Sequence, residues 1–354
     1  MTEQTVLVEV RNGVGHLTLN RPAGLNALDL DMVRQLRQQL DAWQNDAQIH
    51  VLVLRANGEK AFCAGGDIRG LHDSYLAGDG MYMTFFQEEY ALDQLLHAYP
   101  KPILALMDGF VLGGGMGLAQ AASHRVVTER VKMGMPETGI GYFPDVGGSY
   151  FLSRLDGAIG QYLGTTGSHI RAADALYCGL ADHCLGSELL GELDQALDAT
   201  QWSDDPSSDL DKLLQKRASQ KIPGSEIKAM RSAIDHHFSQ PDMQSIRASL
   251  QSEECSAYQD WAKRTLAAID GKSPLAMNVT LELLRRGKDL DLASCFALEL
   301  HLDAQWFAKG DIMEGVRALI IDKDKNPKWN PTSLAEVTPS RVMEFFTGFE
   351  PTQG

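Results

Sequence analysis

Long apolar runs, paired cysteines and an excess of positive charge are all missing from this sequence. No apolar stretch reaches the ~18 residues that a membrane-spanning helix needs, so none is expected. The N-terminal MTEQTVLVEVRNGVGHL carries neither a basic leader nor an apolar core, so no signal peptide is expected. The five cysteines (Cys63, Cys178, Cys184, Cys255, Cys295) are odd in number and include no C-x-x-C pair. That argues against a disulfide framework and for a reducing compartment, and a cytoplasmic location is the expectation. A formal net charge of -15 excludes wholesale binding to nucleic acid or to an anionic membrane.

Several catalytic signatures are absent as well. The ten histidines include no H-E-x-x-H pair and no zinc spacing with cysteine, so no metal is expected. His236 and His237 are neighbours that project differently from a helix and are expected at the surface. Gly147-Gly148-Ser149-Tyr150-Phe151 lacks the closing glycine of a nucleophile elbow. Gly113-Gly114-Gly115-Met116-Gly117 is out of register with the dinucleotide fingerprint, and no P-loop occurs.

What the chain does have is 354 residues, 44% hydrophobic and 22% charged, enough for one large globular domain or two ordinary ones. Two strands, Val6–Val10 and Val14–Leu19, flank an Asn12-Gly13 hairpin turn. Helical spacing follows from Asn26 to Trp43, then a buried-strand run at Val51–Leu54. A glycine turn at Phe62–Gly70 comes next, with Asp67 placed to cap a helix. A helix is expected over Tyr82–Tyr99, on which Glu88 and Glu89 read as a solvated acidic face. The apolar run Ile103–Met107 leads into the glycine cluster at Gly113–Gly117. This alternation of strands, glycine turns and helices argues for an α/β architecture.

Beyond Ser149 the pattern is helical. Residues 198–260 form a polar, uneven stretch of helical hairpins, and residues 261–354 hold longer amphipathic helices, one starting at Pro274, then a charged tail. Two glycine turns that each follow a strand can each present a backbone N–H, and a helix start adds the positive end of its dipole. Glu137 and Asp145 lie close after the second turn. Residue by residue they read equally as acyl-chemistry carboxylates or as loop and turn residues.

The segments LNRP…LNALD (Leu19 to Asp29), KAFCAGGDIR (Lys60 to Arg69), DGFVLGGGMGLA (Asp108 to Ala119) and MPETGIGYFPDVGGSYFLSRL (Met135 to Leu155) together resemble the crotonase (enoyl-CoA hydratase/isomerase) superfamily. Within it they look like the 3-hydroxyisobutyryl-CoA hydrolase subfamily, whose C-terminal signature resembles EGVRALIIDKDKNPKWNP (Glu314 to Pro331). The resemblance implies a crotonase-like spiral of repeated ββα units over residues 1–197, a helical insert at 198–260 and a C-terminal helical region at 261–354.

The same resemblance implies oxyanion-hole amides at Gly66 and Gly114, a substrate-contacting carboxylate at Glu89 and a catalytic pair at Glu137 and Asp145. It overturns the solvated-face reading of Glu89. The implied reaction is hydrolysis of a 3-hydroxyacyl-CoA thioester in valine breakdown, with Gly114, Glu89, Glu137 and Asp145 contacting the acyl-CoA. No cofactor is implied, because coenzyme A is part of the substrate. Arg21, Lys60 and Arg69 are candidates for its phosphates by position alone.

The hydratases of the superfamily carry a glutamate two residues after GGG. This chain has Gly117 there, which speaks against hydration. The rival readings are a hydratase or isomerase of the same superfamily and a catalytically silent acyl-CoA binding protein. The superfamily's habit of associating through C-terminal helices implies a homo-oligomer; a tail folded back on its own core is the alternative.

Overall fold

The computed structural model describes residues 4–219 and 222–351. The chain divides into two compact units, each discontinuous in sequence. The first is Met1–Asp67, Glu88–Met133 and Ile170–Ser225; the second is Ile68–Gln87, Gly134–His169 and Glu226–Gly354.

The first unit is built on strands. β1 (Val6–Arg11) and β2 (Val14–Leu19) pair antiparallel with Arg11 opposite Val14. Asn12 (φ 47°) and Gly13 (φ 71°) supply the two left-handed positions that a two-residue hairpin of this twist requires. Each later repeat sends its first strand to one sheet and its second to another. β3 (Val51–Ala56) and β4 (Ala61–Cys63) precede a helix at Ile68–Ala77. β5 (Ile103–Met107) and β6 (Phe110–Leu112) precede a helix at Gly114–Ala121. β7 (His124–Thr128), β8 (Lys132–Gly134) and β9 (His183–Leu185) follow. The large sheet runs β1-β2-β3-β5-β7-β9, parallel from β2 onward, and the small one runs β4-β6-β8. This is the ββα spiral that the motifs imply.

Period-2 alternation explains one face of the large sheet. Val51, Val53, Leu104, Leu106 and Val126 bury alternate side chains against Leu193 and Leu197 of the helix Leu190–Ala199 and Leu210, Leu213 and Leu214 of the helix Pro206–Gln215. At roughly 1.5–3 kcal/mol per buried leucine, Leu210, Leu213 and Leu214 anchor the start of the polar stretch 198–260 to the sheet. The later helices of that stretch, Glu226–Phe238 and Met243–Gln251, lie in the second unit.

Two expectations need correction. The helix expected from Asn26 begins only at Leu30, because the Asp29 side chain accepts from the Met32 N–H and caps it there. Asn26 is instead buried, donating to the carbonyls of Asn57 and Ala61. His237 is not at the surface: it is buried between Ser249 (2.7 Å) and Glu253 (2.9 Å), while His236 is exposed.

In the second unit the helices Gln259–Asp270, Pro274–Gly287 and Leu292–Lys309 succeed one another, the middle one starting at Pro274 behind a Ser273 cap. The tail lies on these helices: the Phe345 ring is 4.6 Å from that of Trp306, and the Arg286 guanidinium sits 4.4 Å over Phe346. Among the described residues no helix is long and apolar enough to cross a membrane.

Candidate active site

The first unit carries both glycine turns. After β4 the chain passes through Gly65 at φ 104°. The Leu28 N–H donates to the Gly65 carbonyl (2.8 Å), and the Asp67 N–H donates to the Leu28 carbonyl (2.7 Å). That pattern is a parallel bridge with Gly66 between the two bonds, and neither bond uses the Gly66 N–H. Gly113 (φ 50°, ψ −121°) then opens the helix Gly114–Ala121. Its carbonyl takes the Met116 and Gly117 N–H groups, while Gly114 lies in the first turn, where helix geometry supplies no acceptor for its N–H.

Close approach explains the small residues. A β-carbon on Gly115 would fall 2.3 Å from the Cys63 carbonyl oxygen, and one on Gly65 would lie 3.7 Å from the Gly114 nitrogen. The two turns are therefore side by side. A β-carbon on Gly114 would meet Glu89 Oε1 at 2.5 Å. Glu89 is only 2% exposed on the helix Met81–His97, whereas its neighbour Glu88 pairs with Arg34 at 2.7 Å. Asp93, one turn further along, is also fully buried. Burial first, with the Glu89 and Asp93 charges adding to it, pushes the nearby Cys63 thiol up to about 12, so it is an inert neutral group.

The second unit carries the carboxylate pair. Glu137 starts a 3-10 turn (Glu137–Ile140) behind Pro136, and Gly141 (φ 73°) ends it. The turn is clamped by Thr138, whose hydroxyl donates to the Thr165 carbonyl and whose own carbonyl accepts from the Ser273 N–H. Glu137 Oε2 is buried and accepts no hydrogen bond from the described residues. Burial raises the Glu137 carboxyl well above its ordinary range, the Asp145 charge raises it further, and Lys272 partly offsets both. The Lys272 ammonium occupies space left by two glycines. A β-carbon would come within 2.9 Å of Nζ from Gly139 and 3.3 Å from Gly167.

Asp145, 6% exposed, begins a tight turn closed by the Gly148 N–H on its carbonyl (2.7 Å). Val146 (φ 50°) and Gly147 (φ 82°) both take left-handed backbone. For a β-branched residue that conformation is a true outlier, and holding it costs roughly 1–3 kcal/mol. The surroundings hold it: Glu299, buried on the helix Leu292–Lys309, accepts the Gly147 N–H (2.8 Å) and the Ser149 N–H (2.9 Å). Ser149 also donates its hydroxyl to Glu299, so it is a buried structural serine and not a nucleophile.

The expected residues thus fall into two sets. Gly66, Gly114 and Glu89 are in the first unit, with Glu89 against Gly114; Glu137 and Asp145 interact in the second. Of the phosphate candidates, Arg21 is held by Asp29 (3.1 Å) and Asp67 (3.3 Å), Arg69 donates to the Ile320 carbonyl (2.7 Å), and Lys60 is exposed. Asp67, expected as a helix cap, pairs with Arg21. Sequence reading missed Asp93, Lys272 and Glu299. A four-residue spacing from Glu89 pointed to Asp93; nothing local marked the other two. Among the described residues no group of histidine, cysteine and carboxylate side chains could hold a metal ion.

An enoyl-CoA hydratase/isomerase family model matches residues 14–346. The chain belongs to that family. It is 39% identical over 344 residues to the mitochondrial 3-hydroxyisobutyryl-CoA hydrolase of Gallus gallus, covering 96% of this chain and 88% of that one. Its fold matches a crystal structure of a carnitinyl-CoA dehydratase from Mycobacterium thermoresistibile, with TM-score 0.89, 36% identity and coverage of 99% and 98%. It also matches an enoyl-CoA hydratase from Rhodobacter sphaeroides 2.4.1, with TM-score 0.87, 34% identity and 97% coverage of both chains. The two-sheet ββα spiral is thus the crotonase fold, and CoA-thioester processing is the chemistry of the family.

Proposed function

We propose that this chain hydrolyses a short-chain 3-hydroxyacyl-CoA thioester, with 3-hydroxyisobutyryl-CoA the substrate that fits best, yielding 3-hydroxyisobutyrate and CoA in valine breakdown. The observation that carries the reading is the buried Glu137–Asp145 pair, in a chain alike over nearly its whole length to relatives named for that hydrolysis.

The Gly66 and Gly114 amides take the thioester carbonyl oxygen and gain most when it becomes the tetrahedral oxyanion. Each such donor is worth roughly 2.7–4 kcal/mol in the transition state. Ionised Glu137 takes a proton from water as the water oxygen bonds to the carbonyl carbon. The oxyanion then collapses, the carbon–sulfur bond breaks, and the proton on Glu137 passes to the departing sulfur. The lone pairs of buried Oε2, which accept no hydrogen bond from the described residues, suit this task. Direct attack by the same oxygen, through an anhydride that water opens, is the other route available to it. Asp145 orients the water or the 3-hydroxyl, and Glu89 fixes the hydroxyl. Coenzyme A enters with the substrate and no further cofactor takes part. Free thiols at all five cysteines support a reducing compartment, cytoplasmic in this reading, whereas the vertebrate relatives are mitochondrial by name.

The names of the two solved structures favour hydration or dehydration instead. That chemistry uses a second glutamate at the helix start, where this chain has Gly117, so hydrolysis is preferred. The test is Glu137→Gln assayed for thiol release from 3-hydroxyisobutyryl-CoA. The reading expects near-complete loss, and a near wild-type kcat removes Glu137 from the mechanism.

A further inference from the structure

We infer that Glu299 is a positioning residue for catalysis, holding the left-handed turn that aims Asp145; the inference rests on the catalytic reading of Asp145. Glu299 lies 154 residues further along the chain, on the helix Leu292–Lys309, and no side-chain atom of it needs to touch substrate for this role.

Its two carboxylate oxygens are divided between alternate amides of one turn. Oε2 accepts from Gly147, two residues after Asp145, and Oε1 accepts from Ser149. Between those bonds the Gly148 N–H closes the turn on the Asp145 carbonyl. The backbone from Asp145 to Ser149 is therefore tied at three successive amides, two of them to a single side chain. Val146 would relax from its positive φ without such ties.

The same helix face holds the segment between the two carboxylates. Asp303, one turn after Glu299, accepts the Tyr142 hydroxyl, and Trp306 Nε1 donates to the Gly141 carbonyl (2.8 Å). Residues 299, 303 and 306 share one stripe by helical spacing. It grips residues 141, 142, 147 and 149, a run that spans Asp145 and starts just after the Glu137 turn.

Burial pushes the Glu299 carboxyl up to about 8 although its three donors pull it back, so an ionisable group here carries a desolvation cost. An apolar side chain of the same size would leave the Gly147 N–H, the Ser149 N–H and the Ser149 hydroxyl without this acceptor. What it would lack is two acceptors at the separation of the Gly147 and Ser149 amides.

The experiment compares Glu299→Gln and Asp145→Asn in the full-length chain by thiol release from 3-hydroxyisobutyryl-CoA, melting temperature and amide hydrogen exchange. In the Gln variant one amide must face an –NH2 group. We expect kcat to fall at least thirtyfold, KM to stay within about threefold and faster exchange confined to residues 144–149. Retention of kcat overturns the proposal. So does a loss of kcat accompanied by faster exchange throughout the helices of the second unit, since that marks a general structural role. If Glu299→Gln does not fold, Glu299→Asp, which keeps the carboxyl group but withdraws the oxygens by about 1.5 Å, takes its place with the same criteria. A near wild-type kcat in Asp145→Asn is a separate result: it removes Asp145 from the mechanism whatever Glu299 does.

Discussion

The carboxylate of Glu89 packs against the α-carbon of Gly114, so closely that a β-carbon there would come within 2.5 Å of Oε1. A helix start that offers an amide and a buried acid one atom's width away are thus one construction, and a methyl group is enough to spoil it.

Gly114→Ala tests this. In an exposed helix alanine would stabilise by about 1 kcal/mol over glycine. Here the methyl must displace the end of the Glu89 side chain and press Leu28 Cδ1 at 3.4 Å. The expected outcome is a folded protein whose melting temperature moves by a few degrees and whose kcat/KM falls at least tenfold. Thermal unfolding and thiol release measured on the same sample check it.

Glu137 carries a stability cost that depends on pH. Its folded carboxyl is raised above the unfolded value, so the folded state binds the proton more tightly. Stability is then highest below the unfolded value near 4.5 and is lost as pH rises toward the raised folded value. Glu137→Gln removes that dependence while lowering kcat by about 10²–10⁴. Melting temperatures of the two proteins should converge at acid pH and separate toward neutral pH, with the Gln variant higher. Parallel curves across that range would contradict the assignment.

Lys272 acts on the same carboxyl from the other side. Its charge favours ionised Glu137, and its own ammonium is pulled below the ordinary lysine value by burial. Lys272→Met should raise the Glu137 carboxyl further. The acid limb of the kcat/KM profile should therefore move to higher pH, with a lower rate at neutral pH that recovers in part as pH rises. An unmoved limb would mean that Lys272 does not set the ionisation of Glu137.

Crotonyl-CoA separates hydrolysis from hydration. With Gly117 at the helix start, the protein should release thiol from 3-hydroxyisobutyryl-CoA and form no 3-hydroxybutyryl-CoA from crotonyl-CoA. Chromatographic detection of the hydrated product at a comparable rate would move the chain to the hydratases.

Much of the fold was legible in the residue order. Asn12-Gly13 has the backbone freedom that a tight hairpin demands, Pro274 behind Ser273 starts a helix, and the run Val51–Leu54 suits a strand covered on both faces. These signals act over a handful of residues, through allowed dihedrals and alternate apolar positions, and need no knowledge of the rest of the chain. The candidate carboxylates could be named from their motifs for the same reason. Their states could not. Glu88 and Glu89 are chemically identical neighbours, yet Arg34 pairs with one and the interior takes the other. The ionisation of Glu137 depends on a lysine 135 positions away, and the turn beneath Asp145 depends on Glu299. Burial and electric fields are set by whatever the folded chain brings near, which is why only the tertiary structure decided which acids are poised and what holds them.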